Sequence, residues 1–172
     1  MKTCSISSAS PVARTLKGLL VALALAVPAQ AHHSFAIFDS SVTRVFTGVV
    51  TRVNPDVNHL QIFFAVMNDQ RTNVIRDAQN KPVVWAVEMA GSAQSARDGI
   101  SVNTFPPGTI FSVALHPLRN GQPAGDKGET SIAKCPEKKP PEAGKHCDTV
   151  AGHTVLGTGP LPSVVAATPG QH

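Results

Sequence analysis

Tyrosine is absent from this 172-residue chain, aromatic side chains make up only 5% of it, and tryptophan occurs once. A stacking platform for single-stranded nucleic acid or sugars would therefore have to rest on Trp85 and a few phenylalanines. No apolar run reaches the length of about 20 residues that a helix needs to cross a hydrocarbon core about 30 Å thick. That rules out a membrane-spanning helix. Ser34 and Ser92 lack a Gly-x-Ser-x-Gly setting, and neither a Gly-rich phosphate loop nor a dinucleotide fingerprint occurs, so nucleophilic hydrolysis and nucleotide chemistry find no support. Asp39, Glu88 and Asp98 are the carboxylates nearest to predicted ordered elements. Their spacing builds no pair for glycosidic or acid–base work. They read as solvated or capping groups, and the chain reads as a non-enzyme.

What is present begins at the N-terminus. Lys2, Arg14 and Lys17 accompany a ten-residue apolar run, Gly18 to Val27, followed by Ala29-Gln30-Ala31 and then His32-His33. A basic region, a short apolar core and an Ala-x-Ala site describe a secretory signal peptide over residues 1–31, cut between Ala31 and His32. The expected location is the periplasm or the medium. Cleavage removes three positive charges and no negative one, so the formal net charge of +4 falls to +1. A chain so nearly neutral gives no electrostatic reason to expect nucleic acid or anionic lipid as a partner.

Cleavage leaves 141 of the 172 residues, enough for one domain with its own core. Cys4 departs with the signal. Cys135 and Cys147 remain, an even count in a chain sent to an oxidising compartment, and a disulfide between them is expected. Metal binding by the pair is the alternative, but the sequence has no Cys-x-x-Cys to support it.

Residues 42–53 are rich in Val, Thr and Phe with partial two-residue alternation, which suits a half-buried strand. Gly48 interrupts it and marks a bulge or bend. Residues 60–67 and 82–89 predict two further strands, joined by a polar stretch from Asn68 to Lys81 that is expected to protrude. In the third strand, parity assigns Val83, Trp85, Val87 and Met89 to the core and turns Glu88 toward water or a site. Residues 91–99 predict a short helix with Ser92 as N-cap and Gly99 as stop. Residues 109–115 predict a fourth strand and residues 129–134 a fifth.

Three strands, a short helix and two strands is the order of five-stranded oligonucleotide/oligosaccharide-binding (OB) barrels, with the helix between strands 3 and 4. The expected fold is mainly β, a small OB-like barrel over residues 32–156, with a small β-sandwich as the alternative. The Pro-, Lys- and Glu-rich excursion 135–147 would be closed by the disulfide. Residues 157–172, poor in large apolar groups, are expected to form a mobile tail.

His32-His33-Ser34-Phe35-Ala36, Phe38-Asp39, Thr47-Gly48-Val49-Val50, the Asn54-Pro55 turn and Trp85-Ala86-Val87-Glu88-Met89 with Gly91-Ser92 together make up a pattern of short motifs. With Pro107-Gly108, Phe111-Ser112-Val113 and Arg119-Asn120-Gly121 it resembles the small exported bacterial proteins grouped as domain of unknown function 6152. The resemblance covers roughly residues 32 to 133 and implies a fold and a compartment, since the family has no established activity. Where the family pattern runs Asn-Pro-His into an aromatic strand, this chain has Asn54-Pro55-Asp56-Val57-Asn58-His59-Leu60, so the histidine is displaced. The Trp usual after the helix is missing, with Ile100 or Val102 near that place. The Cys135 to Cys147 excursion is an addition.

Histidine carries the chemistry. Cleavage after Ala31 gives His32 a free α-amine and an imidazole on one residue. These chelate a transition metal, and a second imidazole completes the nitrogen-rich set that Cu(II) favours. His33, His59, His116 and His153 are the candidate third ligands, with His59, at the start of a predicted strand, the first choice. Cutting before Ala31 instead would place His33 third, in a square-planar clamp. The same residues also read as a flexible polar N-terminus, with His116 capping a strand in solvent. Phe35 and Phe38 are placed to dock this N-terminal segment on the barrel. Two functional classes stay open: a non-enzymatic binding or accessory protein that holds copper through His32, His33 and His59, and a metal-free interaction module for another exported protein.

Overall fold

Alternating β-branched and aromatic residues build most of the structure, a computed structural model that describes residues 35–55 and 58–167. Strand β1 (Arg44–Asn54) pairs antiparallel with β2 (His59–Val66), and β2 with β3 (Val84–Gly91). A short helix α1 (Ser92–Arg97) leads to β4 (Ile110–Pro117), which returns to pair antiparallel with β1. Strand β5 (Ala124–Asp126) lies between β3, to which it is parallel, and β4. The pairings therefore close into a ring, β1–β2–β3–β5–β4–β1. The fold is mainly β, and this barrel-like ring has its helix between strands 3 and 4 as expected.

One expectation shifts. The fifth strand of the ring is not residues 129–134 but the three residues Ala124–Asp126, too short to show a hydrophobic period. Gly125 allows the close approach, because a β-carbon there would lie 2.4 Å from the His116 carbonyl oxygen. The predicted segment instead contains β6 (Ile132–Lys134), which pairs with β4 and carries β7 (Thr154–Leu156) outward.

Leu60, Ile62, Phe64 and Val66 of β2 and Val87 and Met89 of β3 fill the interior. Phe64 meets Phe111 edge-on at 5.2 Å between centroids, and Phe111 meets Phe105 at 5.5 Å. Phe105 comes from the Pro-Gly turn before β4 and is wholly buried. Trp85 packs on Phe46 at 4.6 Å, on the inward side that parity assigned it. The bulge in β1 sits between Val50 and Arg52 rather than at Gly48. Ser92 is not an N-cap: Gly91 holds that place, and the Ser92 hydroxyl donates to the Asn58 carbonyl. Gly99, at φ +73°, ends the helix as predicted.

A second layer covers the outer face of β1 and β4. Cys135 and Cys147 form a disulfide, as the cysteine count implied, and with Ala133 and Val150 they make a small separate core. The Asn68–Lys81 stretch folds back rather than simply protruding. The buried Arg71, in the left-handed region at φ +58°, donates from Nε to the Lys145 carbonyl at 2.9 Å, and the Gly144 amide donates to the Asp69 carbonyl at 2.8 Å. Composition argues for a loose tail beyond Gly157, yet helix α2 (Pro162–Ala166) buries Pro162. The Ser163 amide and hydroxyl both donate to Asp148 Oδ2, so polar anchoring supplies what apolar burial lacks there. Among the described residues, no helix is long and apolar enough to cross a membrane.

Candidate functional site

His59 opens β2 and faces Gly91 of β3. His59 Nδ1 lies 2.7 Å from Glu88 Oε1, and both side chains are about a quarter exposed, at 28% and 23%. The pair is thus reachable from solvent while held by the sheet. A carboxylate can only accept, so the ring donates its Nδ1–H to Glu88. This is the arrangement in which a carboxylate orients an imidazole for a metal.

Register explains why Glu88 stands here. Gln61, Glu88, Asp126 and His116 are cross-strand neighbours on β2, β3, β5 and β4, all on the outer face of the ring. Burial pushes the Asp126 carboxyl above its ordinary range, the charge of His116 and backbone N–H donors oppose that, and Glu88 reinforces it. Beside this row lies a groove of about 170 Å³ lined by Gln61, Ala86, Glu88, Ile37, Phe38 and Leu118, among others. It is smaller than the range of about 300–1,000 Å³ typical of organic-ligand pockets, and its lining is mostly apolar, with Gln61 and Glu88 the polar exceptions. A larger hollow of about 520 Å³ runs along Pro106–Ile110 and Lys134–Lys138 but holds no histidine.

The N-terminal segment reaches the same place. Phe38 is buried, as its docking role required, and bridges to Leu118, while the Asp39 amide donates to the Pro117 carbonyl at 2.8 Å. Arg119 fixes the stretch before it, its amide donating to the Ile37 carbonyl and its Nε to the Ala36 carbonyl. The hydroxyl and amide of Ser41 lower the Asp39 carboxyl below its usual value, with Arg119, 3.7 Å away, adding to the effect.

Of the remaining candidates, Ala31, His32 and His33 lie outside the described residues. His116 is held by its Nδ1 on the Val42 carbonyl at 3.0 Å, and His153 by its Nδ1 on the Val150 carbonyl at 2.8 Å. The structure does not gather His59, His116 and His153 together. Among the described residues no three His, Cys, Asp or Glu side chains form a metal-holding group. The two cysteines spend their sulfurs on each other, which removes the metal-binding alternative for that pair.

His146 carries no signal of its role in the sequence. It lies in the Pro- and Lys-rich excursion, where no periodicity exists, and its Nδ1 is 3.0 Å from Thr47 Oγ1, 99 residues away in the chain. Only its position next to Cys147 could have hinted at ordered surroundings.

Residues 20–127 match the model of a family described as Family of unknown function (DUF6152). The match covers more than half of the chain, and the protein belongs to that family. No curated protein and no solved structure matches it.

Proposed function

We propose that this member of a family without an assigned activity is an exported, non-enzymatic binding protein that holds a copper ion with His59 and the mature N-terminal residues His32 and His33. The observation that carries the reading is the 2.7 Å contact from His59 Nδ1 to Glu88 Oε1, the contact by which a carboxylate orients a metal-binding imidazole.

Chain length supports it. Ile37 lines the groove beside Glu88, and the four residues back to His33 span at most about 14 Å when extended. Two imidazoles and an α-amine from His32 and His33, with one imidazole from His59, form the nitrogen-rich set that Cu(II) prefers. Of the three proposed ligands only His59 lies among the described residues; the chelating end is the segment that export would create.

Intact mass of the exported protein tests the first residue, and Cu(II) titration at neutral pH tests the ligands. The reading expects a mature start at His32, one copper per chain, and affinity lowered by His59→Ala and by the double change His32→Ala, His33→Ala. Titrations unaffected by these changes would remove copper and favour an interaction module for another exported protein.

A further inference from the structure

Thr47 and Ser112 are cross-strand partners on β1 and β4, on the outer side of the ring, yet they are only 1% and 0% exposed. The excursion 135–147 covers them, and it does so through polar groups. Thr47 Oγ1 is 2.7 Å from Ser112 Oγ and 3.0 Å from His146 Nδ1, and the Cys147 amide donates to Ser112 Oγ at 2.9 Å. His146 itself is 8% exposed. One proton arrangement gives every member of this chain a partner. The Cys147 N–H points to Ser112 Oγ, the Ser112 hydroxyl to Thr47 Oγ1, and the Thr47 hydroxyl to His146 Nδ1. It requires a lone pair on Nδ1.

We infer that His146 is a pH-sensitive latch: while its ring is neutral it holds the disulfide-bounded excursion on the outer face of β1 and β4, and when the ring takes up a proton it releases that segment. A proton on Nδ1 reverses the chain. Thr47 must then accept from the ring and donate to Ser112, and the Ser112 hydroxyl hydrogen loses its place. The new charge is also poorly received by its surroundings. β1 and β4 present only the neutral Thr47 and Ser112. The 68–82 stretch presents the guanidinium of Arg71, which donates to the carbonyl of Lys145, the residue before His146. The turn that follows presents Asp148, whose Oδ2 is taken by Ser163.

Burial first, and then Arg71, lower the proton affinity of the ring, with Asp148 opposing them. The sign follows: the docked excursion has its full stability above the ordinary imidazole value of about 6.5 and loses it as pH falls from there through the lowered value. Release would uncouple the excursion from the 68–82 stretch while leaving the disulfide intact.

The test is amide exchange of Gly144 and Cys147 in the mature protein, since their acceptors, the Asp69 carbonyl and Ser112 Oγ, lie on other elements. After correction for intrinsic rates, the protection of both is expected to fall between about pH 7.5 and about pH 5, approaching about tenfold per pH unit within the titration window, while the amides of β2 stay protected. His146→Gln, neutral throughout, is expected to abolish the pH dependence. Should that variant undock at every pH, histidine ring NMR of the wild type decides the matter: the His146 ring of the docked protein must titrate at the acid end of the protection change, where the fall levels off. Protection indifferent to pH in the wild type, a pH dependence retained in His146→Gln, or a ring that titrates outside that window would overturn the latch.

Discussion

Gly48 of β1 and Phe64 of β2 leave no room for a β-carbon between them: one built at position 48 would lie 2.4 Å from Phe64 Cδ2 and 2.9 Å from the Ala65 carbonyl oxygen. The ring of Phe64 is itself fixed, wedged against Phe46 and Phe111 in the core. Gly48 therefore serves close packing rather than a bend.

Gly48→Ala is accordingly expected to destabilise the fold by about 1–3 kcal/mol, the usual cost of forcing extra volume into a packed interior. Urea unfolding should show a lower midpoint with an unchanged slope. An unchanged midpoint would mean that Phe64 can move aside.

Removing the disulfide by changing Cys135 and Cys147 together to Ala should cost up to about 3 kcal/mol by loop-closure entropy. The excursion should suffer more than the ring, because the bridge is the core of the small outer cluster. Faster exchange of the Gly144 amide, with the β2 amides unaltered, is the expected pattern. Equal acceleration in both would contradict the picture of a separately docked layer.

Asp126 contributes a pH dependence of definite sign. Burial raises its folded-state value above the ordinary 3.8, so the folded state binds this proton more tightly than the unfolded chain does. Its contribution to stability is fully present below that ordinary value and is lost as pH rises through the raised one. Asp126→Asn keeps an oxygen to accept from the Gly128 amide. The variant should unfold at higher urea concentration than wild type at neutral pH, and that advantage should vanish in acid. A variant less stable at neutral pH would show that the charge has a compensating partner.

The ring was readable because its strands obey simple parity. The alternation around Trp85 put Val87 and Met89 inside and Glu88 outside, and the structure places them so. Gly48 stood out in the sequence but for the wrong reason: a bulge and a close contact look alike until the facing residue, Phe64, is known. Ala124–Asp126 was invisible because three residues carry no period, and pairing with β3 and β4, both distant in the chain, makes it a strand. His59 drew notice as a histidine at a strand start, but its carboxylate partner 29 residues on depends on register. His146 gave no signal, since its burial is created by Thr47 and Ser112 across the fold.

Glu88→Gln separates a ligand-orienting role for Glu88 from mere packing. The amide keeps the size of the carboxyl and removes its charge, so it tests whether that charge holds the His59 ring in its donating tautomer. The expected outcome is copper affinity lowered about 10-fold to 100-fold, the range for loss of such an orienting group, with little change in urea midpoint. A large loss of stability with copper affinity intact would assign Glu88 to the fold instead.

The most direct measurement is calorimetric titration of Cu(II) into protein prepared to begin at His32, run beside its His59→Ala variant. The account predicts one tight site per chain in the wild type and binding at least about tenfold weaker in the variant, as loss of one imidazole ligand requires. Identical isotherms for the two proteins would contradict it.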